Sequence, residues 1–218
     1  CRGPAARSRV DAEAFGLALP HSALAPSGEP GGLELASRSA TALQRLHLLG
    51  ISVGQILTAA AVENAMLVHA AFGGSTNLLL HIPAIAFCAC VARPAVDDWT
   101  ETNRKVSRIV DVLPNGPRYF KTVQVFLAGG VPEVMLHLRR LGVLDCGCMT
   151  VTGSTVGENL DWWEKSDRRK RFQEILKSQD GVDASDIIVS HDRRFGSTLI
   201  FPRGNLAPQG SVVKATAI

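Results

Sequence analysis

The sequence predicts an α/β protein, helix-rich over residues 1–181 and strand-rich over residues 182–218. Up to about residue 177, apolar residues recur mostly at helical spacing. From residue 182 the pattern changes to short runs rich in β-branched residues, separated by glycine and proline, which is typical of strands. We therefore place a domain boundary near residue 182.

The composition is that of a globular protein. Apolar residues make up 46% of the 218 residues, enough for a sizeable core, and the formal net charge is only +3. The longest apolar stretch, residues 78–92, is interrupted by His81 and Pro83 and is too short to cross a bilayer. We therefore expect neither a nucleic acid nor a membrane as partner. An odd count of five cysteines indicates a reducing compartment, the cytoplasm, rather than a disulfide scaffold.

The first fifty residues predict two helices joined by an ordered loop. Residues 1–9 lack apolar periodicity and are predicted to be irregular, and residues 12–19 a short helix. Residues 20–30 are dense in turn formers and predict the loop. Residues 33–46 predict the second helix, and Gly50 stands where a left-handed C-terminal residue belongs. Helical spacing is followed by Leu33, Ala36, Ala40, Leu43 and Leu46.

Two predicted helices meet at the sequence Gly73-Gly74-Ser75-Thr76-Asn77. The upstream helix begins near Thr58, which can cap it, and ends at the glycines, which tolerate positive φ. The downstream helix has a wide apolar face and is predicted to be deeply buried. Such a turn can present N–H groups, hydroxyls and an amide to an oxyanion or a sugar hydroxyl. The alternative is that the glycines only let two buried helices approach closely.

The middle of the chain predicts two more helices. The first begins at residue 96, with Asp97 as its cap and Asp98 in its first turn, where the helix dipole favours a carboxylate. The second has Pro132 at its first position and ends at Gly142.

A strand, a polar turn and a helix are predicted next, at residues 148–152, 153–159 and 161–177. The turn lacks the Gly-Lys-Ser/Thr ending of a phosphate-binding loop, which argues against nucleotide binding. Acidic residues interleave with the basic cluster of the helix, which indicates a solvated face rather than an RNA site. Three further strands are predicted at residues 186–189, 198–201 and 211–213.

The cysteines allow a metal-site alternative. Cys88 and Cys90 form one Cys-x-Cys pair and Cys146 and Cys148 another, and four thiolates could bind zinc. Structural zinc sites usually place two to four residues between paired ligands, so buried or incidental thiols are favoured.

Five ordered motifs together resemble the family of iron-sulfur dehydratases that includes dihydroxy-acid dehydratase, 6-phosphogluconate dehydratase and the sugar-acid dehydratases. The resemblance covers the chain from about Phe15 onward. It rests on residues 73–77 with His81, 128–132, 150–153 and 157–159 after Leu144, 204–208, and 210–214. Residues 19–28, 74–85, 159–164 and 201–205 resemble most the sugar-acid branch that acts on xylonate.

The resemblance implies removal of water from a sugar acid such as D-xylonate, giving a 2-keto-3-deoxy acid. A 2Fe-2S or 4Fe-4S cluster would take the departing hydroxyl, and Mg²⁺ would hold the carboxylate. It also implies an α/β N-terminal domain carrying the cluster, here residues 1–181, and the opening strands of a β-barrel-like second domain, residues 182–218. A homo-oligomer, dimer or tetramer, is expected.

The resemblance also implies residue roles. Cys1 stands where the family has its third cluster cysteine and is expected to be a metal ligand. Ser75, Thr76, Asn77 and His81 are expected at the active-site cleft as substrate contacts or their support, with a satisfied buried histidine as the alternative for His81. No catalytic residue is assigned.

Two motifs of the family are absent from the 218 residues. These are the Cys-Asp-Lys motif, which supplies cluster and magnesium ligands, and the Asp-Gly-Arg-Phe-Ser-Gly type motif, which supplies the base. The chain therefore resembles an internal piece of the enzyme, and alone it is expected to be inactive and poorly soluble. Two alternatives stay open: a non-catalytic remnant that at most binds an intact subunit, and a dihydroxy-acid dehydratase of branched-chain amino-acid synthesis.

Overall fold

The computed structural model describes residues 4–28 and 31–215, and side chains from residue 8 within those ranges. This part of the chain is mostly helical, with one two-stranded antiparallel sheet. The elements are α1 Pro4–Ala14, α2 Gly31–Leu49, α3 Val53–Ile56, α4 Ala59–Phe72, α5 Leu78–Cys88, α6 Val96–Lys105, α7 Thr122–Leu127, α8 Gly130–Arg140, α9 Val156–Lys165, α10 Asp167–Asp180, α11 Ala184–Ile187, a 3-10 turn His191–Arg193, β1 Leu199–Ile200 and β2 Val213–Lys214.

Helix α4 is the centre of the core. It is rich in alanine, apolar almost all round, and buried from Ala61 to Phe72 except at Glu63. A helix of this composition cannot face water on any side, so neighbours must cover it. Helices α1, α5, α6 and α8 do so, and α8 in turn supports α9 and α7. None of the helices within residues 4–28 and 31–215 is long and apolar enough to cross a membrane.

A buried ion pair joins α10 to α8. Glu133 of α8 is 6% exposed, and Arg169 of α10 donates to both of its carboxylate oxygens at 2.7 Å. The indole N–H of Trp163 in α9 donates to the same carboxylate at 3.2 Å. Bidentate pairing makes burial of this charge tolerable. Three helices are thereby held in one arrangement.

Several predicted helix ends are confirmed. Thr58 caps α4 by accepting the N–H of Ala61 at 3.2 Å, and Gly73 ends the helix with a φ of 78°. Gly50 and Gly142 follow α2 and the end of α8 with φ of 65° and 71°. These signals are local, so the sequence alone carries them.

Other predicted ends are wrong. Residues 4–9, predicted to be irregular, belong to α1, and that helix stops at Ala14 instead of continuing to residue 19. The cap of α6 is Ala95, whose N–H donates to the Asp98 carboxylate at 2.7 Å, and Asp97 lies inside the helix. Helix α8 begins two residues before Pro132.

Two of the predicted strands are wrong and two are confirmed. Residues 148–152 form turns with a single bridge from Met149 to Thr155, because threonine hydroxyls bond the local backbone. Residues 184–187 form α11, so the strand predicted at 186–189 is reduced to one bridge between Ile188 and Val110. The other two predictions correspond to β1 and β2, which pair antiparallel. The barrel-like second domain and the boundary at residue 182 stay predictions.

Candidate functional site

The Gly73-Gly74 turn is closed by hydrogen bonds within the chain. The N–H groups of Gly73 and Gly74 donate to the carbonyls of Ala70 and His69 at 3.0 and 2.9 Å. The N–H of Ser75 donates to Nε2 of the buried His69 ring at 2.9 Å. These three amides are therefore already bonded, and a ligand at the turn would meet side chains instead.

The two glycines are required by what lies against them. A Cβ at Gly73 would overlap the Arg108 side chain, and a Cβ at Gly74 would lie 2.5 Å from the His69 ring. The His69 ring is itself fixed edge-on against Trp99, with centroids 5.2 Å apart. The glycines thus make room for the Arg108 and His69 side chains, whereas the alternative expected close approach of the two helices.

Arg108 packs against Gly73 and helps to hold the turn in place. Its side chain is 6% exposed, lies 4.6 Å from the Phe195 ring centroid, and donates to the Asn115 carbonyl. The Asn115 amide in turn donates to the Gly73 carbonyl at 2.7 Å. Burial lowers the pKa of the Arg108 guanidinium, and stacking on an aromatic face offsets part of the cost of burying this cation. Sequence reasoning missed Arg108, His69 and Asn115.

The four predicted substrate contacts lie on one continuous segment. Ser75 is buried, whereas Thr76, Asn77 and His81 are exposed. Asn77 precedes the first turn of α5. Its backbone carbonyl accepts a hydrogen bond from the N–H of His81 at 3.1 Å, so the two residues lie on the same side of the helix start. The buried-histidine alternative for His81 is wrong.

Helix α5 is buried on one face only. Leu78, Ile82 and Ala86 face the core, while Leu80 and Phe87 are 74% and 65% exposed. The prediction of deep burial is therefore wrong for the outer face of this helix.

A second assembly holds the loop that follows α1. The buried Glu13 carboxylate accepts the N–H groups of His21, Ser22 and Ala23 at 2.6, 3.2 and 2.8 Å. Burial raises the pKa of this carboxyl to about 7, although the three amides favour its ionised form. Because one side chain satisfies three successive amides, the loop has one defined shape.

The His21 ring is engaged at both nitrogens. Nε2 donates to the Phe126 carbonyl at 2.8 Å, and Nδ1 accepts from Arg168 Nε at 3.1 Å. The ring also stacks on Phe126, with centroids 4.1 Å apart. Burial lowers the pKa of His21 to about 3, so the ring is neutral at physiological pH. It supports the loop and has no nitrogen left to act as a general base.

The Thr-x-Thr-Gly motif forms a closed polar network with the end of the Gly-Glu-Asn motif. The Asn159 amide donates to Thr150 Oγ1 at 2.7 Å and accepts from Thr152 Oγ1 at 3.0 Å. Glu13, Pro132, Thr150 and Asn159 line one cavity of about 30 Å³. This volume holds about one water molecule and no sugar acid. These motif residues therefore bond to one another and leave no room for a substrate between them.

An open cleft of about 440 Å³ lies between α8, α10 and α11. Its arginines are paired: Arg169 with Glu133, Arg140 with Glu164 at 2.8 Å, and Arg193 with Asp186 at 4.0 Å. Each arginine that lines the cleft thus has a carboxylate within ion-pair distance.

No metal centre forms within residues 4–28 and 31–215. No three His, Cys, Asp or Glu side chains there are grouped to hold a metal ion, which removes support for the four-thiolate alternative. Burial raises the pKa of Cys148 to about 11, and its Sγ accepts from the Asn64 amide at 3.5 Å. Cys1, the predicted cluster ligand, lies outside the described residues. The described residues therefore do not fit a cluster or a magnesium site on their own.

Comparison with known proteins gives consistent matches. The family model described as dihydroxy-acid/6-phosphogluconate dehydratase N-terminal matches residues 3–159. D-xylonate dehydratases YagF and YjhG of Escherichia coli K12 are 60% and 59% identical over 99% of this chain. A dihydroxy-acid dehydratase of Mycobacterium avium is 39% identical over 94% of it. The chain covers 34%, 34% and 33% of these relatives, about a third of their length.

Gly73→Ala should destabilise the fold by about 3 kcal/mol, since it adds overpacking against Arg108 to the cost of a left-handed alanine. Gly181→Ala is the matched control: this glycine also ends a helix with positive φ, and nothing lies within 4 Å of a Cβ there. The control should cost about 1 kcal/mol. Urea unfolding of both variants measures the difference, and equal losses would contradict the packing of Arg108 against Gly73.

Glu13→Gln tests whether burial or the three backbone N–H groups dominate the pKa of the Glu13 carboxyl. A pKa raised from 4.5 to about 7 in the folded state gives stability that is fully present below pH 4.5 and lost as the pH rises through 7. The advantage of wild type over Glu13→Gln should shrink by about 3 kcal/mol between pH 4 and pH 8. Urea unfolding across that range measures the difference curve, with exposed Glu63→Gln as control. A difference that grows with pH would mean that the amides keep Glu13 ionised.

Proposed function

Because the chain belongs to the dihydroxy-acid/6-phosphogluconate dehydratase family, we propose that it acts as part of a hydro-lyase that removes water from a sugar acid. The observation that carries this proposal is 60% identity over 99% of the chain to an E. coli D-xylonate dehydratase. D-xylonate is the leading substrate, and a 2-keto-3-deoxy acid the product. A dihydroxy-acid dehydratase is the second candidate, supported by 39% identity.

The proposed reaction needs help for a poor leaving group, since hydroxide departs slowly from carbon. The family resemblance implies that an iron-sulfur cluster and Mg²⁺ supply this help as Lewis acids. The described residues form no ligand set for either. We therefore propose that a complete ligand set needs residues beyond the described ranges, with Cys1 as the candidate from this chain.

The contribution proposed for this chain is a set of substrate-binding side chains on the segment from Ser75 to His81, called the substrate edge below. Thr76 and Asn77 offer a hydroxyl and an amide, which both donate and accept hydrogen bonds and so suit a polyhydroxy acid. They follow directly on Ser75, which is tied to the buried His69. His81 lies one turn further along α5. Positions fixed in this way lose little freedom when substrate binds.

A chimaeric enzyme tests the proposed substrate class. The corresponding third of E. coli YagF is replaced by this chain, and formation of the 2-keto-3-deoxy acid from D-xylonate is measured after anaerobic reconstitution with iron, sulfide and Mg²⁺. We expect turnover within about tenfold of the intact relative, and a large loss with Cys1→Ser. A folded chimaera that dehydrates a branched 2,3-dihydroxy acid but not D-xylonate would favour the second candidate. A folded chimaera without activity on either would contradict the proposal.

Asn77→Ala in the same chimaera tests the proposed substrate edge. The Asn77 side chain makes no capping bond to α5, so its loss should leave the melting temperature unchanged. Losing a hydrogen bond to a charged substrate should lower kcat/KM by about ten- to a hundredfold. Gln209→Ala, an exposed amide elsewhere on the chain, is the control and should change neither quantity. Unchanged kcat/KM for Asn77→Ala would remove this residue from the binding site.

A further inference from the structure

The loop at residues 113–120 is held against the turn that precedes the substrate edge. The Asn115 side-chain amide donates to the Gly73 carbonyl at 2.7 Å. The two ends of the loop are joined by the N–H of Leu113, which donates to the Phe120 carbonyl at 3.0 Å. The loop is therefore closed on itself and fixed to the turn.

Tyr119, near the end of this loop, has a left-handed backbone and an exposed ring. Its φ is 58°, and 54% of its surface is exposed. This conformation is unfavourable for an L-amino acid and uncommon for an aromatic residue. The fully buried Asp111 carboxylate stabilises it by accepting the N–H groups of Arg118 and Tyr119 at 2.9 and 3.0 Å.

Core packing explains the position of the next residue but not that of Tyr119. Phe120 is buried, whereas more than half of Tyr119 is in contact with solvent. Residues held in an unfavourable backbone conformation cluster at ligand-binding sites, where the surrounding structure fixes a side chain in the position that binding needs. The backbone of Tyr119 therefore indicates a function for its side chain.

Tyr119 and the start of the substrate edge lie near the same buried cation. Burial lowers the pKa of Arg108, whereas the charges of Asp111 and Tyr119 act to raise it. Because such an interaction falls off with distance, the phenol oxygen lies close to the Arg108 guanidinium. The Arg108 side chain in turn packs against Gly73, two residues before Ser75. The phenol and the start of the substrate edge are therefore neighbours of one side chain.

The exposed side chains of the loop differ in whether they are already bound. Arg118 pairs with Asp186 at 3.5 Å and lies over the Phe120 ring, 5.4 Å from its centroid. The Tyr119 phenol has no hydrogen-bond partner among the described residues. Its O–H is therefore available to a ligand.

We propose that Tyr119 is a further substrate-binding residue, whose phenol contacts the sugar acid bound at the substrate edge. This inference rests on the proposed function, which defines the edge and its substrate class. The phenol O–H can donate to a carboxylate and can exchange hydrogen bonds with a hydroxyl. The ring offers an apolar face to the C–H groups of the carbon chain. Tyrosine also loses little conformational freedom on binding, since its side chain has few rotatable bonds.

Tyr119→Phe in the YagF chimaera tests the role of the phenol in turnover. The variant keeps the ring, and the bonds from Asp111 do not involve the phenol, so the melting temperature should stay unchanged. Loss of a hydrogen bond to the substrate should raise KM and lower kcat/KM for D-xylonate about tenfold, with kcat nearly unchanged. Ser178→Ala, which removes an exposed hydroxyl on α10, is the control and should change none of these quantities. Unchanged KM for Tyr119→Phe in an active chimaera would overturn the inference and leave the proposed function standing.

Fluorine NMR tests contact with the substrate in the absence of turnover. The chimaera is labelled with 3-fluorotyrosine and kept in Mg²⁺ without iron and sulfide, so that added D-xylonate is not dehydrated. Tyr119 is the only tyrosine of this chain, and the spectrum of Tyr119→Phe identifies its signal by the loss of one resonance. This signal should shift as D-xylonate is added and should not shift with acetate at the same ionic strength.

The two measurements separate this inference from the proposed function. A chimaera without activity whose Tyr119 signal still shifts with D-xylonate would contradict the proposed function and support the contact. In a folded chimaera, a Tyr119 signal that D-xylonate does not move would overturn the contact. An equal shift with acetate would overturn it as well, because the signal would then report a general anion effect.

Discussion

The burial of α4 from Ala61 to Phe72, except at Glu63, is the constraint on which the rest of the structure depends. Its small residues let four helices approach. The helix also carries two polar side chains, Asn64 and His69, which are buried with it. Each must find a partner, since an unpaired buried polar group costs about 1–3 kcal/mol. Asn64 bonds the carbonyl and N–H of Asp145 at 2.8 and 2.9 Å, and His69 accepts from Ser75. Core packing thereby fixes two loops that lie 70 residues apart in the chain.

Burial in the same interior also changes the pKa of ionisable side chains. Around the loop after α1, burial moves both ionisable side chains toward neutrality: it raises the pKa of Glu13 and lowers that of His21. Glu133 is nearly as buried, yet Arg169 meets both of its oxygens. The difference is that Glu13 has amides as partners and Glu133 has a cation. The Glu133–Arg169 pair joins α8 to α10, and a buried ion pair of this kind can specify how two helices are arranged.

The features that could be predicted from the sequence are those that depend on residues adjacent in the chain, such as helix ends. The Thr58 cap and the glycines at 50 and 73 follow from local backbone preference, and the structure has them. The strand at 148–152 was wrong because the Thr150 hydroxyl outcompetes strand pairing, which composition does not reveal. Arg108 was missed because its role comes from Asn115 and Phe195, and only the tertiary fold brings Phe195 beside it. The predicted substrate contacts are local in sequence, and the groups that hold them in place are not.

Helices α5 and α2 both have exposed apolar side chains, but the residues around those side chains differ. On α5, Phe87 already carries the Arg93 guanidinium 5.4 Å from its ring centroid, and His81 interrupts the exposed face. That face is mixed, and it adjoins the segment proposed to meet substrate. On α2 the exposed stripe is uniformly apolar and consists of Leu33, Ala36, Ala40 and Leu43. Leaving the Leu33 and Leu43 side chains in water forgoes about 1.5–3 kcal/mol for each relative to full burial, so the outer face of α2 adds little to the stability of the described chain.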